Sequence, residues 1–289
     1  MTNTLSFPGL GIGEFTINPI AFEFGFIKVA WYGIIITLGV ILGVAYTLYR
    51  SEFEEIKSDD IYDLTLFVVI FAVIGARVYY VLTNLDSYKT FMSVISVWNG
   101  GIAIYGAIIA GGITTVIVAK IKKINPAKML DLVAPAVMIG QIIGRWGNFT
   151  NAEAFGSETI LPWRMGIQNA LYYPETIYVH PTFLYESLWN LVGFIGIHFI
   201  YKHKKYNGQI FLLYMTWYGF GRMLIEALRT DSLYIGSFKI SQLVGFTSFV
   251  VGVILLIFFG IKANKQIELE EIEENNENEE VKEENGSDN

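Results

Sequence analysis

The sequence contains no cysteine among its 289 residues. A chain without thiols forms no disulfide, offers no thiolate to a metal and has no cysteine nucleophile of its own. Charged residues are also scarce, at 16% of the chain, where a soluble domain carries about a quarter. Apolar residues make up 53% and fall in long blocks. Blocks of about 20 apolar residues are what the hydrocarbon core of a bilayer requires, so they predict an integral membrane protein.

Several short motifs are missing as well. The chain has no HExxH motif, so nothing supports a zincin-type zinc site, and it has no GxSxG motif. The N-terminal segment MTNTLSFPGLGIGEF lacks a basic stretch followed by an apolar run, so we expect no cleavable signal peptide there. We expect the first apolar helix to direct insertion, and we expect neither a metal nor an organic cofactor.

The apolar blocks predict an all-α polytopic membrane protein with about seven transmembrane helices. The predicted spans are residues 27–49, 61–82, 102–119, 129–143, 183–201, 210–228 and 240–261. The fourth span is short and runs into the polar, glycine-containing residues 144–151. Irregular backbone at membrane depth is tolerated where it lines a cavity, so we expect a cavity near these residues.

Basic residues predict the orientation of the bundle. Most lysines and arginines follow the first, third, fifth and seventh spans, and such loops stay in the cytoplasm. The N-terminus is then outside and the C-terminus cytoplasmic. Residues 1–26 form an extracytoplasmic segment, residues 27–262 the seven-helix domain, and a long connection around 146–181 an extracytoplasmic cap. Residues 263–289 are rich in glutamate, which predicts a disordered, acidic cytoplasmic tail.

Three arginines, Arg77, Arg145 and Arg222, fall inside or at the edges of the spans. A charge in the bilayer core costs about 2.5–3.5 kcal/mol or more, so each of them needs a compensating partner. The acidic candidates for a structural ion pair are Asp63, Asp131, Glu186 and Glu226. A bound anionic substrate is the alternative, and we favour it because ionisable groups within a membrane usually mark functional sites.

The sixth span places Tyr218, Arg222 and Glu226 along one helix face, because the three are spaced by four residues. That stripe must face the bundle interior, where Arg222 presents a planar fork suited to a phosphate. The segment GRWGNFTNAE, residues 144–153, is the densest polar cluster at membrane depth. It offers one cation, two amides and a carboxylate, a set suited to gripping a phosphate together with glycerol hydroxyls.

Two further segments carry polar groups near the spans. The third span is rich in glycine, and we expect Gly111 and Gly112 to permit close helix packing. Tyr105 in the same span is either a core tyrosine or a hydroxyl aimed into the cavity. The segment HPTFLYES opens the fifth span and places His180 near the outer interface.

Together these segments resemble the prolipoprotein diacylglyceryl transferase family. GRWGNFTNAE is similar to the family's signature, and the resemblance extends from residue 32 to residue 242. The supporting segments in chain order are Trp31-Tyr-Gly33, Gly75-Ala-Arg77, the glycine-rich third span, HPTFLYES, and Tyr218 with Arg222 and Glu226.

The resemblance implies transfer of the diacylglyceryl group of phosphatidylglycerol to the lipobox cysteine of a prolipoprotein signal peptide. A thioether forms and glycerol phosphate leaves, so the reacting thiol belongs to the substrate. The implied setting is the bacterial cytoplasmic membrane, with the lipid bilayer as a partner and no nucleic acid. A transporter or flippase for an anionic lipid or metabolite is the alternative, since it too would use buried arginines.

The resemblance also implies roles for single residues. The expected catalytic residues are Arg145, Arg222, Tyr105, Tyr218 and Glu153. The expected substrate-binding residues are Arg145, Asn148, Tyr32, Gly156, Arg77, Asn151, Glu226 and His180. Some family members carry a histidine at the position of Tyr105. Because a phenol is a poor base at neutral pH, we expect Tyr105 to hydrogen-bond within the site and leave the base unassigned.

Overall fold

The computed structural model describes residues 2–25 and 27–286, with the side chains of residues 99 and 274–286 left aside. The α-helices in that part of the chain are α1 Trp31–Ser51, α2 Ser58–Thr83, α3 Phe91–Ile95, α4 Ile104–Ile121, α5 Pro126–Asn151, α6 Thr182–Ile200, α7 Gln209–Leu228 and α8 Ile240–Gly286. The β-strands are β1 Asn3–Phe7, β2 Ile12–Ile17, β3 Ile20–Phe24, β4 Ile27–Ala30, β5 Met165–Asn169, β6 Tyr173–Val179, β7 Tyr234–Ile235 and β8 Phe238–Lys239.

The predicted class, a polytopic helical membrane protein, is confirmed. Among the described residues, six helices are long and apolar enough to cross a membrane, namely all the long helices except α7. The 20 residues of α7 include two glycines, an arginine and a glutamate, which lower its mean hydropathy. The seventh crossing and the orientation therefore stay predictions.

The apolar faces of these helices point away from the protein interior. In α8, only 11% of the most apolar stretch is buried within the protein. An exposed apolar surface of that extent is stable only where another apolar medium covers it. Lipid therefore takes the place of protein contacts along this helix.

Helices α2 and α4 approach each other most closely at two glycines. A Cβ atom added to Gly106 would lie 2.2 Å from the carbonyl oxygen of Gly75. A Cβ atom added to Gly75 would lie 2.3 Å from the Cβ of Ala110. A Cβ atom added to Gly111 would lie 3.7 Å from Val68 of α2, an ordinary packing distance, whereas one added to Gly112 would have no atom within 4 Å, so the prediction of close packing is wrong for Gly112.

Helix α5 continues without a break through residues 144–151, where we expected irregular backbone. Its two glycines there serve close packing against α1. A Cβ atom at Gly147 would lie 2.7 Å from the ring of Tyr32, and one at Gly144 would lie 3.1 Å from Ile36. The helix ends where Ala152 adopts a left-handed backbone with φ of 51°. The polar side chains of this segment are therefore presented at helical spacing.

The start of α7 is fixed by a carboxylate from α5. Asp131 is fully buried, and its two oxygens accept hydrogen bonds from the backbone N–H groups of Gly208 at 2.8 Å and Phe211 at 2.9 Å. These N–H groups have no partner within the helix, because the first turn of a helix leaves its donors unpaired. These two hydrogen bonds fix the position of the start of α7 along α5. They therefore also fix the depth in the bundle at which each side chain of α7 lies.

A small β-structure covers one end of the bundle. The order of the four-stranded sheet is β2-β1-β5-β6, with antiparallel pairing throughout. Leu5 of β1 pairs with Ile167 of β5, so the N-terminal segment and the connection after α5 form one cap. We predicted these two parts as separate segments. Their pairing joins strands more than 150 residues apart, which no local pattern reveals.

The acidic C-terminal region continues α8 as a helix as far as Gly286. We expected disorder from residue 263 onward on grounds of composition. Glutamate and lysine are strong helix formers, and a helix can extend from an existing one without a new nucleation step. This explains the difference between the composition-based expectation and the structure.

We predict that Gly106→Ala destabilises the α2–α4 contact, since its Cβ would overlap the carbonyl of Gly75. Overpacking of this kind costs about 1–3 kcal/mol. Gly112→Ala is the matched control on the same helix, and we expect it to leave stability unchanged or slightly raised. Thermal unfolding in detergent measures both. Equal midpoints for the two variants would contradict the packing role of Gly106.

Candidate active site

The predicted residues Arg145 and Arg222 lie where α5 and α7 end and α6 begins, beneath the cap. Arg145 lies in the last two turns of α5, Glu186 near the start of α6, and Arg222 in the last two turns of α7. Helices α5, α6 and α7 pack against one another, so these side chains project into one space. Residues from distant parts of the sequence thereby reach the same end of the bundle.

Glu186 joins the two predicted arginines. Arg145 donates through Nη2 to Oε1 of Glu186, and Arg222 donates through Nη1 to Oε2 at 3.0 Å. Only 3% of the Glu186 side chain is exposed. Cations and hydrogen bonds at both oxygens offset the cost of burying a carboxylate. One glutamate therefore holds two guanidinium groups side by side.

The ion pairs continue along α7 and into the loop that follows it. Arg222 pairs through Nη2 with Oε2 of the buried Glu226 at 2.6 Å, and Arg229 lies 3.9 Å from the same oxygen. Arg229 also forms two hydrogen bonds to Asp231, at 2.9 and 2.7 Å. Lys239 caps the C-terminal end of α7, because its amine donates hydrogen bonds to the backbone carbonyls of residues 226, 227 and 229.

On the other side of Arg145, hydrogen bonds continue through the predicted signature. We call the connected side chains the charged run: Glu153, Asn148, Arg145, Glu186, Arg222, Glu226 and Arg229. Arg145 donates through Nη1 to Oδ1 of Asn148 at 3.2 Å. Asn148 then donates to Oε1 of Glu153 at 3.0 Å, and Asn151 donates to the same oxygen at 3.2 Å. Asn148 thus fixes Arg145 from one side while Glu186 fixes it from the other. The guanidinium plane is oriented before any ligand arrives.

The three predicted tyrosines surround this charged run. Tyr218 lies within electrostatic range of Glu186, Arg222 and Arg145, and its ring stacks on that of Tyr214 with centroids 5.8 Å apart. Tyr32 of α1 lies within range of Glu153 and Arg145.

Tyr105 of α4 lies within electrostatic range of Arg222 and hydrogen-bonds Ser241 of α8 at 2.7 Å. The hydroxyl of Tyr105 therefore has a polar partner near Arg222 and is not surrounded by apolar side chains alone.

A polar layer lies one helical turn deeper in the bundle. Gln141 precedes Arg145 by four residues and donates to the hydroxyl of Tyr214 at 3.0 Å. Asn190 follows Glu186 by four residues, is fully buried, and finds no hydrogen-bond partner among the described residues. The interior beneath the charged run is therefore polar as well.

Arg77 does not join this group. It is buried, and it donates four hydrogen bonds of 2.5–2.7 Å to backbone carbonyls of the connection between α2 and α4. The accepting residues are Ser93, Val94, Gly100 and Gly101. Its guanidinium also lies 5.0 Å from the ring centroid of Tyr88. These contacts tie down a loop, and substrate binding by Arg77 stays a prediction that they do not support.

His180 and Gly156 lie together at the base of the cap. The N–H of Gly156 donates to the carbonyl of His180 at 2.9 Å, and an added Cβ would lie 2.7 Å from the His180 Cβ. His180 hydrogen-bonds the hydroxyl of Tyr185 at 3.2 Å, and burial lowers the pKa of its imidazole. Both His180 and Tyr185 line a cavity of about 470 Å³ whose other walls are mostly leucine.

Sequence reasoning missed two members of the run. Glu186 was named only as one of several possible ion-pair partners, yet it is the residue that joins the arginines. Arg229 was counted with the loops. The sequence did contain a signal for Glu186. Three arginines at membrane depth require several carboxylates, and Glu186 is one of the few acidic residues inside a predicted span. Among the described residues, no group of three or more His, Asp or Glu is arranged to hold a metal.

The fold and this run of side chains define a polytopic helical membrane protein with a charged site at one end of its bundle. A family model described as prolipoprotein diacylglyceryl transferase matches residues 19–258. Curated relatives named phosphatidylglycerol–prolipoprotein diacylglyceryl transferase include that of Listeria innocua, which is 40% identical over 269 residues, 91% of this chain and 97% of the relative.

The relative from Finegoldia magna carries the same name and is 45% identical over 253 residues, 87% of this chain and 98% of the relative. The relative from Acaryochloris marina, again of that name, is 43% identical over 243 residues, 82% of this chain and 89% of the relative. The chain therefore belongs to the prolipoprotein diacylglyceryl transferase family. The predicted family is confirmed.

We predict that Glu186→Gln destabilises the protein strongly. The variant keeps the size of the side chain but leaves two adjacent guanidinium groups without their shared anion. Breaking a buried ion pair by removing one partner costs about 3–5 kcal/mol. Thermal unfolding in detergent measures the loss. Glu158→Gln, in the exposed part of the cap, is the control, and a similar midpoint for both variants would contradict the bridging role.

Proposed function

We propose that this protein transfers the sn-1,2-diacylglyceryl group of phosphatidylglycerol to the lipobox cysteine in the signal peptide of a prolipoprotein, in the bacterial cytoplasmic membrane. Family membership over most of the chain supports the activity, which is that of a transferase acting in lipoprotein maturation. The observation that carries the proposed site is the pair of guanidinium groups, from Arg145 and Arg222, held on one carboxylate at the end of the bundle.

The reaction is a displacement at the third glycerol carbon of the lipid. The cysteine sulfur forms a bond to that carbon, and the bond between the carbon and the phosphate oxygen breaks. Glycerol phosphate departs with the electron pair of that bond. The thiol proton passes to a base or to the departing group, so the step is balanced without an oxidant, a reductant or a metal.

Charge is the feature that suits Arg145 and Arg222 to this step. At the bridge itself, the guanidinium groups of Arg145 and Arg222 share the one carboxylate of Glu186, so these three side chains carry one excess positive charge. A preorganised cation stabilises the negative charge that builds on the departing phosphate. The same field lowers the free energy of a thiolate relative to its thiol, which favours attack.

The remaining residues of the run act by positioning. Asn148 and Glu186 fix the plane of Arg145 from two sides, and Glu226 holds Arg222. Glu153 orients Asn148 through the hydrogen bond to its amide. We assign hydrogen bonds to the lipid head group to the hydroxyls of Tyr32, Tyr105 and Tyr218, because these rings surround the run.

A transporter or flippase was the alternative from sequence. A transporter makes no covalent bond, whereas the family to which the chain belongs is one of transferases. Purified protein in detergent, given labelled phosphatidylglycerol and a lipobox peptide, provides the direct test. Formation of a thioether without two separate compartments supports the enzyme. Its absence in folded, monodisperse preparations of the protein would contradict the proposed function.

We predict that Arg145→Lys loses activity by about 10- to 100-fold, as expected when a charge-assisted, two-point contact is removed. Lysine keeps the charge but cannot donate to Asn148, Glu186 and a phosphate in one plane. Labelled thioether formation measures the loss. Arg164→Lys in the cap, where the arginine donates only to backbone carbonyls, is the matched control and should retain activity. Near-normal transfer by Arg145→Lys would overturn the assigned role.

A further inference from the structure

A polar cleft of about 500 Å³ opens beside the end of the charged run, between the cap and the loop that follows α7. Asn3 and Asn169 line it from the cap, Thr230 and Asp231 line it from the loop, and Glu153 lines it from the end of the polar segment after α5. Its volume lies within the range of pockets that bind small ligands or short chain segments. Because Glu153 belongs to both the cleft and the run, the cleft adjoins the proposed site directly.

The cleft offers hydrogen-bond acceptors that the protein itself does not use. Both hydrogen bonds to Glu153 among the described residues end on Oε1, which leaves Oε2 for a ligand. Tyr172 at the rim is 71% exposed, and its hydroxyl makes no hydrogen bond within the described part of the chain. Acceptors and a hydroxyl on one concave surface are complementary to backbone N–H donors.

The charge of the cleft distinguishes between the possible occupants. Glu153 forms no ion pair with any described residue, and Asp231 adds a second carboxylate beside it. Burial would raise the pKa of Asp231, but the hydrogen bonds and charge of Arg229 keep it below its ordinary value. Two carboxylates with one cation disfavour an anionic leaving group, and they attract N–H donors and cationic side chains.

We propose that this cleft binds the stretch of the prolipoprotein that follows the modified cysteine. The inference rests on the proposed function, which brings the cysteine thiol to Arg145 and Arg222. Because the cysteine would react at the end of the bundle that the cap covers, the polypeptide beyond it continues along the cap, where the cleft opens. An extended segment rises about 3.3 Å per residue, so the first few residues after the cysteine reach the cleft.

The test compares two lipobox peptides that share one signal-peptide sequence. The short peptide ends just after the cysteine, and the long peptide continues for several residues. With full-length protein in detergent, we expect a lower KM for the long peptide. Tyr172→Ala should raise the KM for the long peptide about fivefold, because one hydrogen bond to the peptide is lost. The same variant should leave the KM for the short peptide unchanged. Leu171→Ala, next to it and outside the cleft, is the matched control.

A second comparison tests the charge of the cleft. We expect wild-type protein to prefer a long peptide with lysine after the cysteine to one with glutamate. Asp231→Asn should reduce that preference, while Glu175→Gln on the exposed part of β6 should not. Because both peptides are measured on the same variant, any general effect of Asp231 on catalysis cancels from the ratio.

Each outcome has one meaning. Equal KM values for the long and short peptides on wild-type protein, or equal effects of Tyr172→Ala on both, overturn the role of the cleft. Inhibition by added glycerol phosphate that Tyr172→Ala relieves, with the length preference intact, also overturns it and assigns the cleft to the product. If wild-type protein modifies neither peptide, the proposed function itself fails, which is a different result from equal modification of both.

Discussion

Two arginines share one buried carboxylate at the end of three helices, and the rest of the site depends on this arrangement. Arg145 lies on α5 and Arg222 on α7, and the carboxylate of Glu186 on α6 bridges the two guanidinium groups. In a medium of low dielectric, unpaired charges are too costly to persist, so every cation there must have a partner. A bridge that leaves one positive charge in excess keeps the site stable and still attractive to an anion.

The same rule organises the opposite end of the bundle. Lys204 pairs with Glu54 at 2.6 Å and lies 3.4 Å from Asp131, the carboxylate that caps the start of α7. Arg50 is almost fully buried and donates to the side chains of Tyr46 and His198. Both ends of α7 are thus held by charged groups, while its middle packs on α8 through glycine. Fixing both ends positions Arg222 along the bundle.

The cap gives the site a second boundary that the bundle alone lacks. Its sheet combines strands from the N-terminus with strands that follow α5, and Thr182 at the start of α6 donates to the carbonyl of Ala154 at 2.5 Å. Through these contacts, the position of the cap is coupled to the helix that carries Glu186. The cap therefore bounds the end of the bundle at which Glu186 and the two arginines lie.

The sequence by itself determined the membrane class, the approximate positions of the long helices, the polar segment ending in Glu153 and the family. These features are local, because hydropathy over about 20 residues and spacing by four can be read along the chain. Only the tertiary structure decided that Glu186 joins the two arginines, that Arg77 donates its hydrogen bonds to the carbonyls of a loop, and that Gly147 allows α5 to pack against Tyr32. Each of these depends on which helices meet and at what height, and contacts between distant segments leave no periodic trace in a single sequence.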